Sequence, residues 1–182
     1  KEIVGPTDTH YVTALDRNGN QLAASGIYGA GKVWSQVGVH VDHAVDLRGY
    51  ANCGVEHRPN FADSAPSAAD LDGDGSLEIV VVGNVYDCGT SPYTSLYHMP
   101  FVFRMDRTRW AAGPYDWTAI PAPLPASGPL SEDYDVIETA VPNPVLADLD
   151  GDGKREILFS SYDGRVHAWW LDKTQKGSWP YD

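Results

Sequence analysis

One nine-residue pattern occurs twice in this chain and limits what the chain can fold into more than anything else in it. Asp70-Leu71-Asp72-Gly73-Asp74-Gly75-Ser76-Leu77-Glu78 runs into Ile79-Val80-Val81, and Asp148-Leu149-Asp150-Gly151-Asp152-Gly153-Lys154-Arg155-Glu156 runs into Ile157-Leu158-Phe159. Each copy has carboxylates at its first, third, fifth and ninth positions. Glycine at the sixth, Gly75 or Gly153, suits a sharp turn that needs positive φ. Three acidic side chains at alternate positions, folded back by that glycine, bring their oxygens toward one point. A fourth arrives from the start of the strand that follows. Left alone such a cluster repels itself, so the pattern points to a hard cation with oxygen ligands.

An EF-hand loop also wants carboxylates at positions 1, 3 and 5 and glycine at 6. It further requires a bidentate glutamate at position 12 and flanking helices. Position 12 here is Val81 or Phe159, inside a strand-like apolar run, so the EF-hand reading fails.

The two loops belong to a longer repeat. Glu-Ile pairs begin at Glu2, Glu78 and Glu156, spaced 76 and 78 residues apart. Lys1-Glu2-Ile3-Val4 reads like the end of a third acidic loop whose aspartates are missing, which makes the chain a fragment of something longer. A second marker is a short strand ending in an apolar residue and an aspartate, at Tyr11–Asp16, Phe101–Asp106 and His167–Asp172. The distances from Glu to this Asp are 14, 28 and 16 residues. The middle copy therefore carries extra residues, placed at Val85 to Met99 as an ordered loop.

A coarse unit follows from these markers. A small-residue strand (Ala65–Ala69, Asn143–Ala147) enters the acidic loop. An apolar strand (Ile79–Gly83, Ile157–Ser160) leaves it, covered on both faces. A hairpin turn, clearest at Asp163-Gly164, leads to the third strand. A fourth is placed at Trp117–Ile120, and the proline-rich stretch from Pro121 to Pro129 crosses to the next unit. Four strands in a unit that cannot close its own core is the pattern of a radial or stacked β array. The approximate units are 1–60 (first strand and loop missing), 61–138, and 139–182 (last strand missing).

These residues resemble the calcium-loop half of FG-GAP or VCBS repeats. The likeness is carried by Ser67-Ala68-Ala69 running into the first loop and on to Gly83. It is carried equally by Pro144-Val145-Leu146-Ala147 running into the second loop and on through Tyr162-Asp163-Gly164-Arg165-Val166-His167-Ala168-Trp169. Gly177 to Pro180 also resembles the blade-to-blade crossing of microbial members. The literal Phe-Gly and Gly-Ala-Pro tags are absent, which favours the microbial type over integrin α-subunits proper.

The resemblance implies an all-β fold of four-stranded antiparallel β-propeller blades, of which this chain would supply about two and a half. It implies one Ca2+ per loop. The ligands would be the side chains of Asp70, Asp72, Asp74 and Glu78 with the Ser76 carbonyl, and those of Asp148, Asp150, Asp152 and Glu156 with the Lys154 carbonyl. It also implies an extracellular, secreted or cell-surface setting.

Composition agrees with that class. The 182 residues suffice for one domain with a sizeable core. The net charge of −12 argues against nucleic acid and anionic membranes as partners. Eight of the 25 acidic residues lie in the two loops, so two divalent ions would bring the charge to about −8. No run approaches the length of a membrane span. The only cysteines, Cys53 and Cys88, bracket the first loop and its strand and are expected to form a disulfide that ties down the insertion, against the alternative of two free thiols.

His40-Val41-Asp42-His43 is the densest histidine cluster, but on a strand the two imidazoles face opposite ways and no further ligand is evident. Trp169 and Trp170 alternate faces, so one is expected to pack between units while the other can present a stacking surface to a sugar. No nucleophile elbow, phosphate loop or Cys-His pairing is present.

The sequence therefore points to a structural, adhesive or ligand-binding segment, with protein or carbohydrate as ligand and the rest of the propeller or neighbouring chains as partners. Two alternatives differ in class. One is the propeller part of a secreted polysaccharide lyase, or an accessory domain of a secreted hydrolase. The other is a fibre subunit completed by strand addition between chains.

Overall fold

A computed structural model of the chain describes residues 2–6, 11–35, 37–38, 61, 64–86, 96–119, 121, 142–161 and 163–182. The described elements are short antiparallel strands. β1 (Ile3–Pro6), β2 (Tyr11–Leu15) and β3 (Val37–Gly38) form one sheet in that order. β4 (Ser67–Ala69), β5 (Glu78–Tyr86) and β6 (Leu96–Arg104) form the second. β7 (Ala111–Ala112) pairs with β8 (Tyr115–Asp116), and β9 (Val145–Ala147), β10 (Glu156–Ser160) and β11 (Val166–Trp169) form the last sheet. The chain is thus all-β, with sheets of two or three strands.

The register repeats. Ile3 lies opposite Leu15, Ile79 opposite Phe103 and Ile157 opposite Trp169. Ser67 to Ala69 pair with Val80 to Glu78, as Val145 to Ala147 pair with Leu158 to Glu156. Each acidic loop therefore joins the first two strands of its sheet. Ile79 to Val82 are fully buried, as expected of a strand covered on both faces.

Three expectations change. The segment Val85 to Met99 does not begin as a loop, because the β5–β6 ladder continues to Tyr86 opposite Leu96. The two ends of the insertion thereby lengthen a hairpin, keeping the backbone groups there paired. After β6, Arg109 bridges to Phe103; of the expected fourth strand Trp117–Ile120, Trp117 and Thr118 stand in no strand, Ala119 carries a β-bridge and Ile120 lies outside the described residues. Fourth-strand pairing among the described residues is limited to the two-residue β3 beside β2 and to such bridges, including Leu15 with Gln21 and Ala23 with Val33, so sheets of four strands are not formed there.

The strand-end aspartates are also not equivalent. Asp16, Arg104 and Trp170 occupy the same register position, each N–H bonded to the carbonyl four residues on (Asn20, Thr108, Thr174). The fourth residue of each five-residue turn has positive φ: Gly19, Arg107 and Lys173. Aspartate can stabilise this turn from its first or its third position. Asp16 accepts the Asn18 and Asn20 amides, while Asp106 and Asp172 accept those of Thr108 and Thr174. Aligning on the aspartate alone therefore slips the first unit by two residues.

Tryptophans join neighbouring sheets. Trp34 and Trp117 are fully buried, and each passes its indole N–H to the second carbonyl of the next unit's turn, Met105 (2.8 Å) and Leu171 (2.9 Å). Trp179 holds the corresponding backbone bond to Lys176 that Trp34 makes to Leu22 and Trp117 to Trp110, but it is only half-buried. Phe61, Phe101, Phe103 and Trp34 meet edge to face in the same core.

Candidate metal centres

In each acidic loop three carboxylates come together. Asp70, Asp72 and Glu78 offer oxygens within 4.8 Å of one another, and so do Asp148, Asp150 and Glu156. A network of backbone N–H groups holds the aspartates in place. Asp70 Oδ1 accepts Gly73 N–H (2.7 Å) and Oδ2 accepts Gly75 N–H (2.9 Å). Asp148 repeats this with Gly151 (2.7 Å) and Gly153 (3.0 Å). Asp72 and Asp150 each accept the amide two residues ahead, at 3.2 Å in both loops. The turn needs positive φ at the fourth loop position as well as the sixth, since Gly73 and Gly151 have φ of 82° and 79°.

The ninth-position glutamates close the ring from the strand. Glu78 Oε2 accepts Leu71 N–H at 2.9 Å and Glu156 Oε2 accepts Leu149 N–H at 2.7 Å. Both side chains are buried. Burial pushes the Glu78 carboxyl above the usual carboxylate range; the Leu71 N–H opposes this, and the charges of Asp72, Asp74 and Asp70 add to it. Glu156 is raised in the same way, by burial first, against the Leu149 N–H and with help from Asp150 and Asp152. Carboxylates forced together at such cost have the chemistry of an all-oxygen cation cage.

The fifth-position aspartates stand outside both groups of three. Asp74 Oδ1 accepts Ser76 N–H at 2.6 Å, and Asp152 Oδ1 accepts Lys154 N–H at 2.8 Å. Asp152 is further engaged by the Lys154 ammonium at 3.0 Å, which together with that backbone bond holds its carboxyl below the usual range. Of the expected side-chain ligands, Asp74 and Asp152 thus stand outside the two groups of three.

The loops are neighbours. Arg155 N–H donates to Leu71 O at 2.9 Å, and its guanidinium bonds the Asp70 carbonyl. The strands leading into them are joined likewise: Ser64 Oγ to Pro142 O, Ala65 N–H to Asn143 Oδ1, and Ser67 Oγ to Pro144 O.

Sequence reasoning did not single out a buried polar cluster at the β10–β11 hairpin. His167 Nε2 lies 3.0 Å from Asp163 Oδ2, its Nδ1 lies 3.2 Å from the Gln175 amide, and its ring stacks on Phe159. Both His167 and Asp163 side chains are only 3% exposed, so the pair is a structural tie with no access for a substrate. The four-residue spacing across the Asp163-Gly164 turn carried the only signal of it. Trp169 is buried, as expected, and Trp170 is buried too, its indole N–H on Asp150 Oδ2 at 2.9 Å, so neither offers a stacking face.

Cys53, Cys88 and the His40–His43 cluster lie outside the described residues. No known protein family, curated protein or solved structure matches this chain.

Proposed function

We propose that each acidic loop holds one calcium ion and that the chain is a calcium-stapled segment of an extracellular β-propeller of the FG-GAP/VCBS type, serving as a scaffold for binding or adhesion. The carrying observation is the duplicated triad. Two loops 78 residues apart place Asp, Asp and Glu oxygens together through the same set of backbone bonds. All donors are hard oxygens on a turn built from two positive-φ glycines, a set that suits calcium better than the smaller, more rigidly octahedral magnesium. Asp70, Asp72 and Glu78 would hold one ion and Asp148, Asp150 and Glu156 the other. Asp74, Asp152 and the carbonyls of Ser76 and Lys154 stand next in line. The ion's part is to offset repulsion among carboxylates that the fold has already gathered.

The test is thermal unfolding with and without chelator, beside a calorimetric calcium titration. An ion that binds only the native state stabilises by mass action, about 2.7 kcal/mol per site at a hundredfold excess over Kd. The expected result is two bound ions per chain and a melting temperature that falls in excess chelator. An unchanged melt and no calcium heat would overturn the reading.

A further inference from the structure

One residue of the second loop is spent on the first. Arg155 stands between Lys154 and the ninth-position Glu156, yet both its backbone and its side chain bond the neighbouring loop. Its N–H donates to Leu71 O at 2.9 Å, and its guanidinium donates to the Asp70 carbonyl. That carbonyl and the Leu71 N–H are the two ends of one peptide group. The N–H end is the donor that Glu78 Oε2 accepts at 2.9 Å. A cation of one loop and a buried carboxylate of the other thus grip the same peptide plane from opposite sides. Hydrogen bonds chained in this way polarise one another, so the guanidinium strengthens the N–H offered to Glu78.

The turns themselves also touch. A Cβ on Gly73 would lie 3.7 Å from the Gly153 carbonyl oxygen. Gly73 N–H is bound by Asp70 and Gly153 N–H by Asp148, so this contact joins the segments that set where each group of carboxylates converges. At the position of Arg155 the first loop has Leu77, which carries no donor.

We infer that Arg155 is a positioning residue of the first metal site, supplied by the second loop, and that each loop gathers its carboxylates more readily once the other has done so. The inference rests on the calcium reading and deepens it. A loop without cation must hold like charges together, and any spreading of Asp70 and Glu78, or of Glu156 beside Arg155, breaks the shared peptide's bonds. Those bonds therefore favour the state with both loops gathered over the states with one. Coupling of this kind is reciprocal between the sites. Repulsion between two bound cations opposes it, but salt screens such repulsion beyond about 8 Å at 0.15 M. Direct hydrogen bonds through Arg155 are screened far less, which makes the net coupling positive.

The probe is calcium alone, titrated calorimetrically into the full chain at about 0.15 M salt. Two companion chains have one loop disabled, by Asp70→Asn with Asp72→Asn or by Asp148→Asn with Asp150→Asn. The product of the two binding constants of the full chain should exceed the product of the single-loop constants by about tenfold. Arg155→Ala should bring that factor to about one. Arg155→Lys keeps a charged donor without the planar fork and should retain part of it. With the first loop disabled, Arg155→Ala should not weaken calcium binding by the second, because its guanidinium serves the neighbouring loop. Urea unfolding without calcium reads the folding of each variant separately, and Asp72→Asn or Asp150→Asn alone replaces any pair that does not unfold cooperatively. A factor near one in the full chain, or a factor that survives Arg155→Ala, would overturn the inference. Two ions bound independently would overturn it alone, whereas no calcium heat in any chain would overturn the calcium reading with it.

Discussion

The first and second acidic loops are close copies in backbone and opposites in surroundings. Each ties its leading aspartate to two glycine amides and its glutamate to the amide of the second residue. Yet beside the first loop stand Ser76, Arg104 and Trp110, and beside the second Lys154, Trp170 and Lys176. Repetition at the level of hydrogen bonds thus fixes where carboxylates converge. The few side chains that differ decide what each unit does with the surface beside them.

The sharpest way to break this comparison is through the tryptophans that join the units. Trp117 is fully buried with its indole on Leu171 O, and Trp179 holds the equivalent backbone position half-exposed. Trp117→Ala should cost about 3–5 kcal/mol in equilibrium unfolding, the range for a large aromatic removed from a packed core. Trp179→Ala should cost about 1 kcal/mol or less. Equal losses would mean that Trp179 contributes as much packing as Trp117 despite its greater exposure.

Next in size is a pH effect that belongs to the second sheet alone. His98 on β6 is 5% exposed, and burial, with the nearby His167 adding to it, pushes its imidazole down to about 4. The unfolded chain binds this proton near pH 6.5 and the folded chain does not, so stability is full above that pH and is lost as pH falls toward 4. The loss over this window is about 3 kcal/mol at most. His98→Leu should remove that slope from a pH series of urea midpoints, and a slope that survives the substitution would assign it to other groups.

A third effect, of about 1–2 kcal/mol, tests the contact between the loops. Arg155 reaches across to the Asp70 carbonyl, whereas its counterpart Leu77 is 52% exposed. Arg155→Ala should destabilise by that amount, as expected for a charge-assisted hydrogen bond lost at a partly buried site. Leu77→Ala should change stability by about 0.5 kcal/mol or less. A neutral Arg155→Ala would show that the loops do not support one another.

Much of this was legible in the residues. The acidic loops announce themselves because both the carboxylates and the glycines stand at fixed positions, and the strands on either side fall where the small and apolar runs place them. The turn after the third strand was misaligned in the first unit because Asp16 and Asp106 cap the same turn from different positions, which composition cannot separate. The length of the β5–β6 hairpin was missed because Cys88, Gly89 and Pro92 read as loop, while pairing out to Tyr86 and Leu96 is set by the ladder itself. The closest convergence in each loop involves three carboxylates, and alternation alone does not separate the fifth-position aspartate from the third, since each accepts the amide two residues on. The side chains beside each loop could not be read from the loop itself, because they include residues of the following turn.

The smallest expected difference lies between the two closing glutamates. Burial and neighbouring carboxylates raise both, three aspartates pressing on Glu78 and two on Glu156. Without cation, the folded chain holds these protons above the pH at which the unfolded chain releases them. Their contribution is therefore fully present in acid and is lost as pH rises through the raised values. Glu78→Gln should accordingly raise the urea midpoint at pH 7 in chelator and flatten its decline with pH, and Glu156→Gln should do the same to a lesser degree. In calcium the sign should reverse for both, since each substitution removes an ionised ligand that the ion needs. Both variants lowering the midpoint in chelator would mean that the Leu71 and Leu149 amide bonds outweigh the crowded charge, and the two loops would then be held together by hydrogen bonding before any ion arrives.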